Sequence, residues 1–281
     1  GCEHGCVYCY ARNSHEYWGY SAGLDFEQKI LVKWNSAELL EKKLQSKRWK
    51  AAPVVLSGNT DCYQPIEKKL KITRQLLQTF LKYKHPVGII TKNALIQRDM
   101  DILRELAADN LVQVHLSITS LDEEVRRLLE PRTATVKKRL ETVAKLTAAG
   151  IHVHIMMAPF IPAMNRHEIL PLVKAVAERG ALGVGYTMVR LNGAIGGIFT
   201  DWIKKTMPDR AEKVLHQIAE CHGGSLNDSQ YGRRMKGEGN IAEQVEQQFT
   251  IARKKYLKDR TLMPLNCELH RESKDGQLKL F

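Results

Sequence analysis

Apolar positions along the chain fall into short runs separated by segments of helical period. Residues 52–57, 86–91, 112–119, 151–157 and 183–189 each read as a strand. Between them, apolar residues recur at helical spacing over roughly 66–83, 95–108, 122–129, 135–149 and 165–179, as expected of helices that cover a sheet with one face. Gly150 and Gly180 close the last two, since glycine readily takes the positive φ of a helix exit. Another helix is expected from Asn35 or Ser36 to about Arg48, with Glu38 and Glu41 opposing the positive end of its dipole. Residues 11–26 show no period, and 26–34 read as a short strand. Strands that alternate with helices in this way argue for βαβ units and a parallel sheet.

The two faces of these strands differ. Val112, Val114, Leu116 and Ile118 alternate with Gln113, His115, Ser117 and Thr119, and Ile151, Val153 and Ile155 alternate with His152, His154 and Met156. A doubly wound sheet, covered on both sides, has strands apolar on both faces. One apolar and one polar face instead suit an incomplete barrel, with helices outside, a ligand-lined lumen inside and the site at the C-terminal strand ends. His152 and His154 fit either hydrogen-bonded core histidines or substrate contacts. The fold class expected is α/β: a partial parallel (β/α) barrel over 1–190 and a mainly helical C-terminal extension over 191–281 packed on it. In the extension, 191–199 is Gly-rich and reads as a flexible crossing loop, while 202–222 and 241–258 read as helices. Residues 223–240 are polar, punctuated by Gly and rich in Arg and Asn, and the apolar 278–281 are expected to dock on the barrel.

With 281 residues and 43% hydrophobic content, the chain can bury a core of the larger α/β kind. A net charge of +12 suits a polyanionic partner such as DNA or RNA, although solvated basic helix faces produce the same total. The most apolar run, 151–163, is interrupted by His and Pro and cannot span a bilayer, so no membrane partner is expected. Nothing at the start reads as a signal peptide. Of six cysteines, Cys62, Cys221 and Cys267 are scattered, which excludes a disulfide framework and fits a reducing, cytoplasmic setting.

The other three form the chemical signal. Cys2, Cys6 and Cys9 stand in a C-x3-C-x2-C spacing, close enough for one loop to bring three thiolates to one metal centre. A structural zinc site wants four protein ligands, and an iron–sulfur cubane normally takes four Cys. Three ligands leave one position open for a small molecule. A zinc loop completed by His4 or a distant Cys, or three unrelated thiols, are the plainer readings.

This loop, Cys-Glu-His-Gly-Cys-Val-Tyr-Cys-Tyr-Ala-Arg, resembles that of the radical S-adenosylmethionine (radical SAM) enzymes. Taken together with Asn-Thr-Asp-Cys-Tyr-Gln-Pro-Ile-Glu, Leu-Glu-Pro-Arg, Ala-Pro-Phe-Ile-Pro and Arg-Met-Lys-Gly-Glu-Gly, it resembles a bacterial radical SAM group allied to spore photoproduct lyase. The resemblance implies a [4Fe–4S] cluster on Cys2, Cys6 and Cys9, and SAM chelated by the open iron. It further implies SAM cleavage to a 5′-deoxyadenosyl radical that abstracts hydrogen, and a reductase or flavodoxin-type electron donor. In that family a strand precedes the cluster loop, so this sequence is expected to lack the first barrel strand. By the same resemblance, Asn59, Thr60 or Asp61 takes the SAM amine, in place of the family's usual Gly-Gly-Glu-like run. Lys92 neutralises the SAM carboxylate, Ser117 and Thr119 reach the ribose or carboxylate, and Arg132 meets the carboxylate or a substrate phosphate. Tyr8 and Ala158 lie at the adenine. Cys62, just beyond Asn-Thr-Asp, is a candidate hydrogen donor to a product radical, against a default of a small half-buried thiol.

Overall fold

The computed structural model describes residues 1–270, in which five parallel strands form one sheet. In chain order they are β1 (Val54–Leu56), β2 (Val87–Thr91), β3 (Val112–Ser117), β4 (His152–Phe160) and β5 (Gly183–Met188). Each pairs with the next, and β5 does not pair with β1, so the barrel stays open. Helices Ile72–Lys82, Met100–Ala108, Val136–Ala148 and Ile169–Ala177 connect successive strands.

The alternation in the sequence sets which face those helices cover. Val112, Val114 and Leu116 of β3 and Val153, Ile155 and Met157 of β4 are fully buried against them, each such side chain contributing on the order of 1.5–3 kcal/mol. The opposite face carries the polar set and faces the lumen. His154 there lies flat enough against β5 that a Cβ on Gly183 would come within 2.7 Å of its ring, so the strand must be bare at that point. Its ring centroid stands 5.4 Å from that of His115, and burial, then His115, pushes His154 down to about 4. It is therefore a neutral, packed histidine.

Beyond β5 the chain becomes helical. Gly239–Tyr256 packs on Ile169–Ala177 and on β5, where Phe249 stacks on Tyr186 at 4.4 Å between centroids. Helices Ala194–Thr206 and Pro208–Glu220 build a second core with Cys6, Tyr8, Leu129 and Ile161. The extension thus backs the N-terminal loop as well as the sheet.

Three local expectations fail. Residues 26–34 form no strand; a short helix, Leu24–Gln28, buries Phe26 against the loop instead. The Gly-rich 191–199 is largely helix, because Ile195, Phe199 and Ile203 repeat every fourth residue and are all fully buried. That burial outweighs the roughly 1 kcal/mol that each interior glycine costs a helix. The helix expected over 66–83 breaks at Lys71, which has φ 55°. The expected docking of 278–281 lies outside the described residues.

Candidate active site

The N-terminal loop crosses the C-terminal ends of the strands and is tied down along its backbone. The Cys2 N–H donates to Phe26 O at 2.8 Å, the Val7 N–H to Leu129 O at 3.1 Å and the Arg132 N–H to His4 O at 3.2 Å. The Glu3 N–H donates to Gln64 Oε1 at 2.9 Å, while the Glu3 carboxylate accepts from the Ile66 N–H. Two arginines clamp the outside. Arg12 donates to Cys6 O at 3.0 Å and Gly23 O at 2.9 Å, and Arg132 donates to Glu3 O. Both also pair with Glu27. Gly5 turns the loop at φ 69°, and an added Cβ there would collide with the Arg132 guanidinium. Fixed in this way, Cys2, Cys6 and Cys9 all line one cavity of about 430 Å³. Burial pushes the Cys2 thiol up to about 11 and Cys6 well above its ordinary value.

The strand ends supply the rest of the cavity wall. Ser57, Gly58, Thr60 and Asp61 follow β1, Thr91 and Lys92 end β2, Ser117 ends β3, Met156 and Ala158 belong to β4, and Thr187 and Arg190 come from β5 and its exit. Asp61 spends its carboxylate internally. Oδ1 accepts from the Tyr63 N–H at 2.9 Å and Thr91 Oγ1 at 2.7 Å, and Oδ2 accepts from the Lys92 N–H at 2.8 Å. His4 Nδ1 lies 3.4 Å from that same Oδ2, and His4 Nε2 lies 3.1 Å from the Asn93 amide. Both ring nitrogens thus face protein partners rather than a metal. The Lys92 ammonium differs: it stands 5.9 Å over the Tyr8 ring and makes no hydrogen bond or ion pair among the described residues.

Beneath Tyr8 lies a buried ion pair. Glu130 accepts from the Tyr8 hydroxyl and from Thr119 Oγ1 at 2.6 Å, and pairs with Arg139. Arg139 also donates to Ser117 O at 3.0 Å. Burial alone would push Glu130 up, but the Arg139 and Lys92 charges and the two hydroxyl donors outweigh it and hold it at about 2.

The family model described as the radical SAM superfamily matches residues 1–176. The chain belongs to the radical SAM superfamily. An uncharacterised protein of Mycobacterium bovis is 33% identical over 211 residues, which cover 74% of this chain and 62% of that one. The chain therefore spans about 62% of the length of that relative. Among solved structures, spore photoproduct lyase complexed with a dinucleoside spore photoproduct superposes with a TM-score of 0.62 at 14% identity, covering 92% of this chain and 72% of the lyase. A variant of that lyase with bound AdoMet gives 0.60 at 14% identity, with 90% and 71% covered. At these identities the likeness establishes the shared partial-barrel fold.

Within this radical SAM fold, nine residues singled out in the sequence meet at the cavity: Cys2, Cys6, Cys9, Tyr8, Thr60, Asp61, Lys92, Ser117 and Ala158. Four do not line it. Asn59 is exposed, on a turn that starts at Ser57 with φ 83°. Thr119 is fully buried on Glu130, and Arg132 clamps the loop from outside. Cys62 packs against the main core, its N–H on Ser57 Oγ at 2.9 Å and its carbonyl accepting from Thr73. The sequence reading missed Glu130, Arg139 and Arg190. Glu130 lies two residues before the arginine chosen from the same motif, and only its complete burial reveals its part.

Proposed function

We propose that Cys2, Cys6 and Cys9 hold a [4Fe–4S] cluster in this cavity, that SAM binds beside it, and that the substrate is nucleic acid. The observation that carries the reading is the juxtaposition of three cavity-lining thiols with an unpartnered lysine ammonium at the rim of a partial barrel. The donor set fits a cluster better than a single ion. No three His, Cys, Asp or Glu side chains among the described residues converge as ligands of one metal would. In a cubane each thiolate binds a different iron, so the sulfurs surround the cluster rather than meet at one point. With His4 committed to Asp61 and Asn93, a closed zinc site does not have His4 as its fourth ligand.

The cluster and SAM, when bound, supply the one-electron cleavage of the sulfonium and hydrogen abstraction from the substrate. The protein's part is placement. Buried thiols with raised basicity give up their protons on binding metal, which couples cluster assembly to order in the loop. Lys92 offers a charged donor to the SAM carboxylate, supported by Ser117. The turn 57–60, with the remaining lone pair of the Thr60 hydroxyl, offers acceptors to the amine. Tyr8 and Ala158 flank the adenine with backbone and apolar surface. An electron donor of the reductase or flavodoxin type would reduce the cluster. The +12 charge favours a polyanionic substrate, and no helix among the described residues is long and apolar enough to cross a membrane.

The test is anaerobic reconstitution with iron and sulfide, reduction, and chromatography for 5′-deoxyadenosine. Release of deoxyadenosine supports the reading. Zinc retention without SAM cleavage sinks it.

A further inference from the structure

Arg190 leaves β5 at the mouth of the cavity with its side chain among the lining residues and no hydrogen bond or ion pair to any described residue. The backbone on either side of it is tied down. The Met188 N–H donates to Met235 O at 2.9 Å, the Val189 N–H to Phe160 O at 2.8 Å and the Leu191 N–H to Leu226 O at 2.8 Å. His222 Nε2 donates to Val189 O at 2.7 Å. These bonds press the polar segment 225–238 against the β5 exit. In that segment Asp228 is already taken by Arg233 at 2.6 Å, and Arg233 also reaches Glu238 at 3.1 Å. Arg234, half-buried and next to the cavity-lining Met235, has no side-chain partner among the described residues. Burial, then the Arg234 charge, draws Arg190 below its ordinary value. Arg190 and Arg234 thus stand two residues and one residue from the bonded Met188 and Met235. Like charges on neighbouring segments repel, and an anion bound by both lowers that cost.

We propose that Arg190 and Arg234 form a phosphate subsite that anchors one backbone phosphate of a nucleic-acid strand at the cavity mouth, beside the Tyr10 ring. This deepens, and rests on, the nucleic-acid reading above. Guanidinium forks match phosphate and carboxylate alike. Two forks on one anion favour the group with more acceptor oxygens, and an aromatic ring next to them suits a base. Tyr10 lines the cavity and is 52% exposed, with its hydroxyl donating to Gly58 O. None of these three residues belongs to the thiol and lysine set that defines the cofactor side of the cavity.

The experiment uses the reconstituted full chain and fluorescence anisotropy with a labelled single strand of about ten nucleotides, between about 50 and 200 mM salt. A labelled acidic peptide is the competing probe. R190A and R234A are each expected to weaken oligonucleotide binding about tenfold and to lower the salt slope by about one. R190K should recover the slope but only part of the affinity. K174A, an exposed lysine on the outer helix Ile169–Ala177, should change neither. The proposal is overturned if the wild type does not bind the strand, if R190A and R234A behave like K174A, or if the arginine variants lose the peptide and keep the strand. Deoxyadenosine release without substrate is read on the same wild-type preparation. Its absence from the wild type would sink the radical SAM chemistry and leave the binding slopes to decide the subsite.

Discussion

Arg139 and Glu130 form an ion pair in which neither side chain is more than 1% exposed, and through Tyr8 and the Ser117 carbonyl the pair joins the cysteine loop to the rim of the barrel. Removing one partner of such a pair strands the other charge in the interior. E130Q should therefore lower stability by about 3–5 kcal/mol, read as a shift in the urea midpoint.

The same pair fixes an acid response. Glu130 sits at about 2 in the fold, below the ordinary carboxylate value of about 4.3. A depressed carboxylate adds stability that is fully present above the unfolded value and lost as the pH falls through the folded one. Urea midpoints should thus fall for the wild type between about pH 4.3 and pH 2, and fall less steeply for E130Q over that window. Parallel profiles would remove Glu130 as the source.

Much of this was legible beforehand because it rests on period. The alternation of Val112, Val114 and Leu116 with Gln113, His115 and Ser117 specifies a sheet with one covered face, and the strands form within three residues of that pattern. The three cysteines were legible because one short loop must deliver them together. Glu130 and Arg139 were not. A buried ion pair has the same letters as a surface one, and the partners stand nine residues apart across the turn between two helices. Arg190 was hidden for another reason: its environment comes from residues 225–238, which fold back from far along the chain. That Asn59 stands exposed and outside the cavity lining was not legible either, because position in a motif does not determine direction, and the turn begins at a left-handed Ser57.

Lys92 is expected to act on SAM without touching the cluster. K92M removes a charged donor worth about 1.5–3 kcal/mol, so SAM binding measured anaerobically by calorimetry should weaken roughly tenfold to a hundredfold. Iron and sulfide content should stay at the wild-type level. K92R, which keeps the charge but changes its shape, should fall between the two. Equal loss of iron would assign Lys92 to loop structure instead.

The cysteines separate by position. C2A, C6A and C9A should each reduce the iron bound after reconstitution from about four atoms per chain to a small fraction of that. C62A should retain both iron and deoxyadenosine release, since Cys62 packs against the core and does not line the cavity. Full iron in any of the first three variants would contradict the proposed ligand set, and loss of substrate turnover in C62A with iron intact would support Cys62 as a hydrogen donor.

The loop's one forced turn offers the sharpest test of how the thiols are aimed. Gly5 holds φ at 69°, where a side chain costs on the order of 1–2 kcal/mol in backbone strain, and its missing Cβ is the space into which Arg132 reaches. G5A carries both the strain and the collision, so iron loading should drop sharply while the far-ultraviolet spectrum stays unchanged. R132A alone loses a half-exposed clamp on Glu3 and Glu27 and should be mild. In G5A/R132A the guanidinium collision is gone, leaving the strain, the lost clamp and a 2.9 Å approach to the Glu27 carboxylate, which is itself freed to shift once Arg132 is removed. The double variant should therefore load more iron than the two single losses together predict. Strict additivity would mean that Arg132 moves aside freely and that the clamp does not determine where Cys2 and Cys6 point.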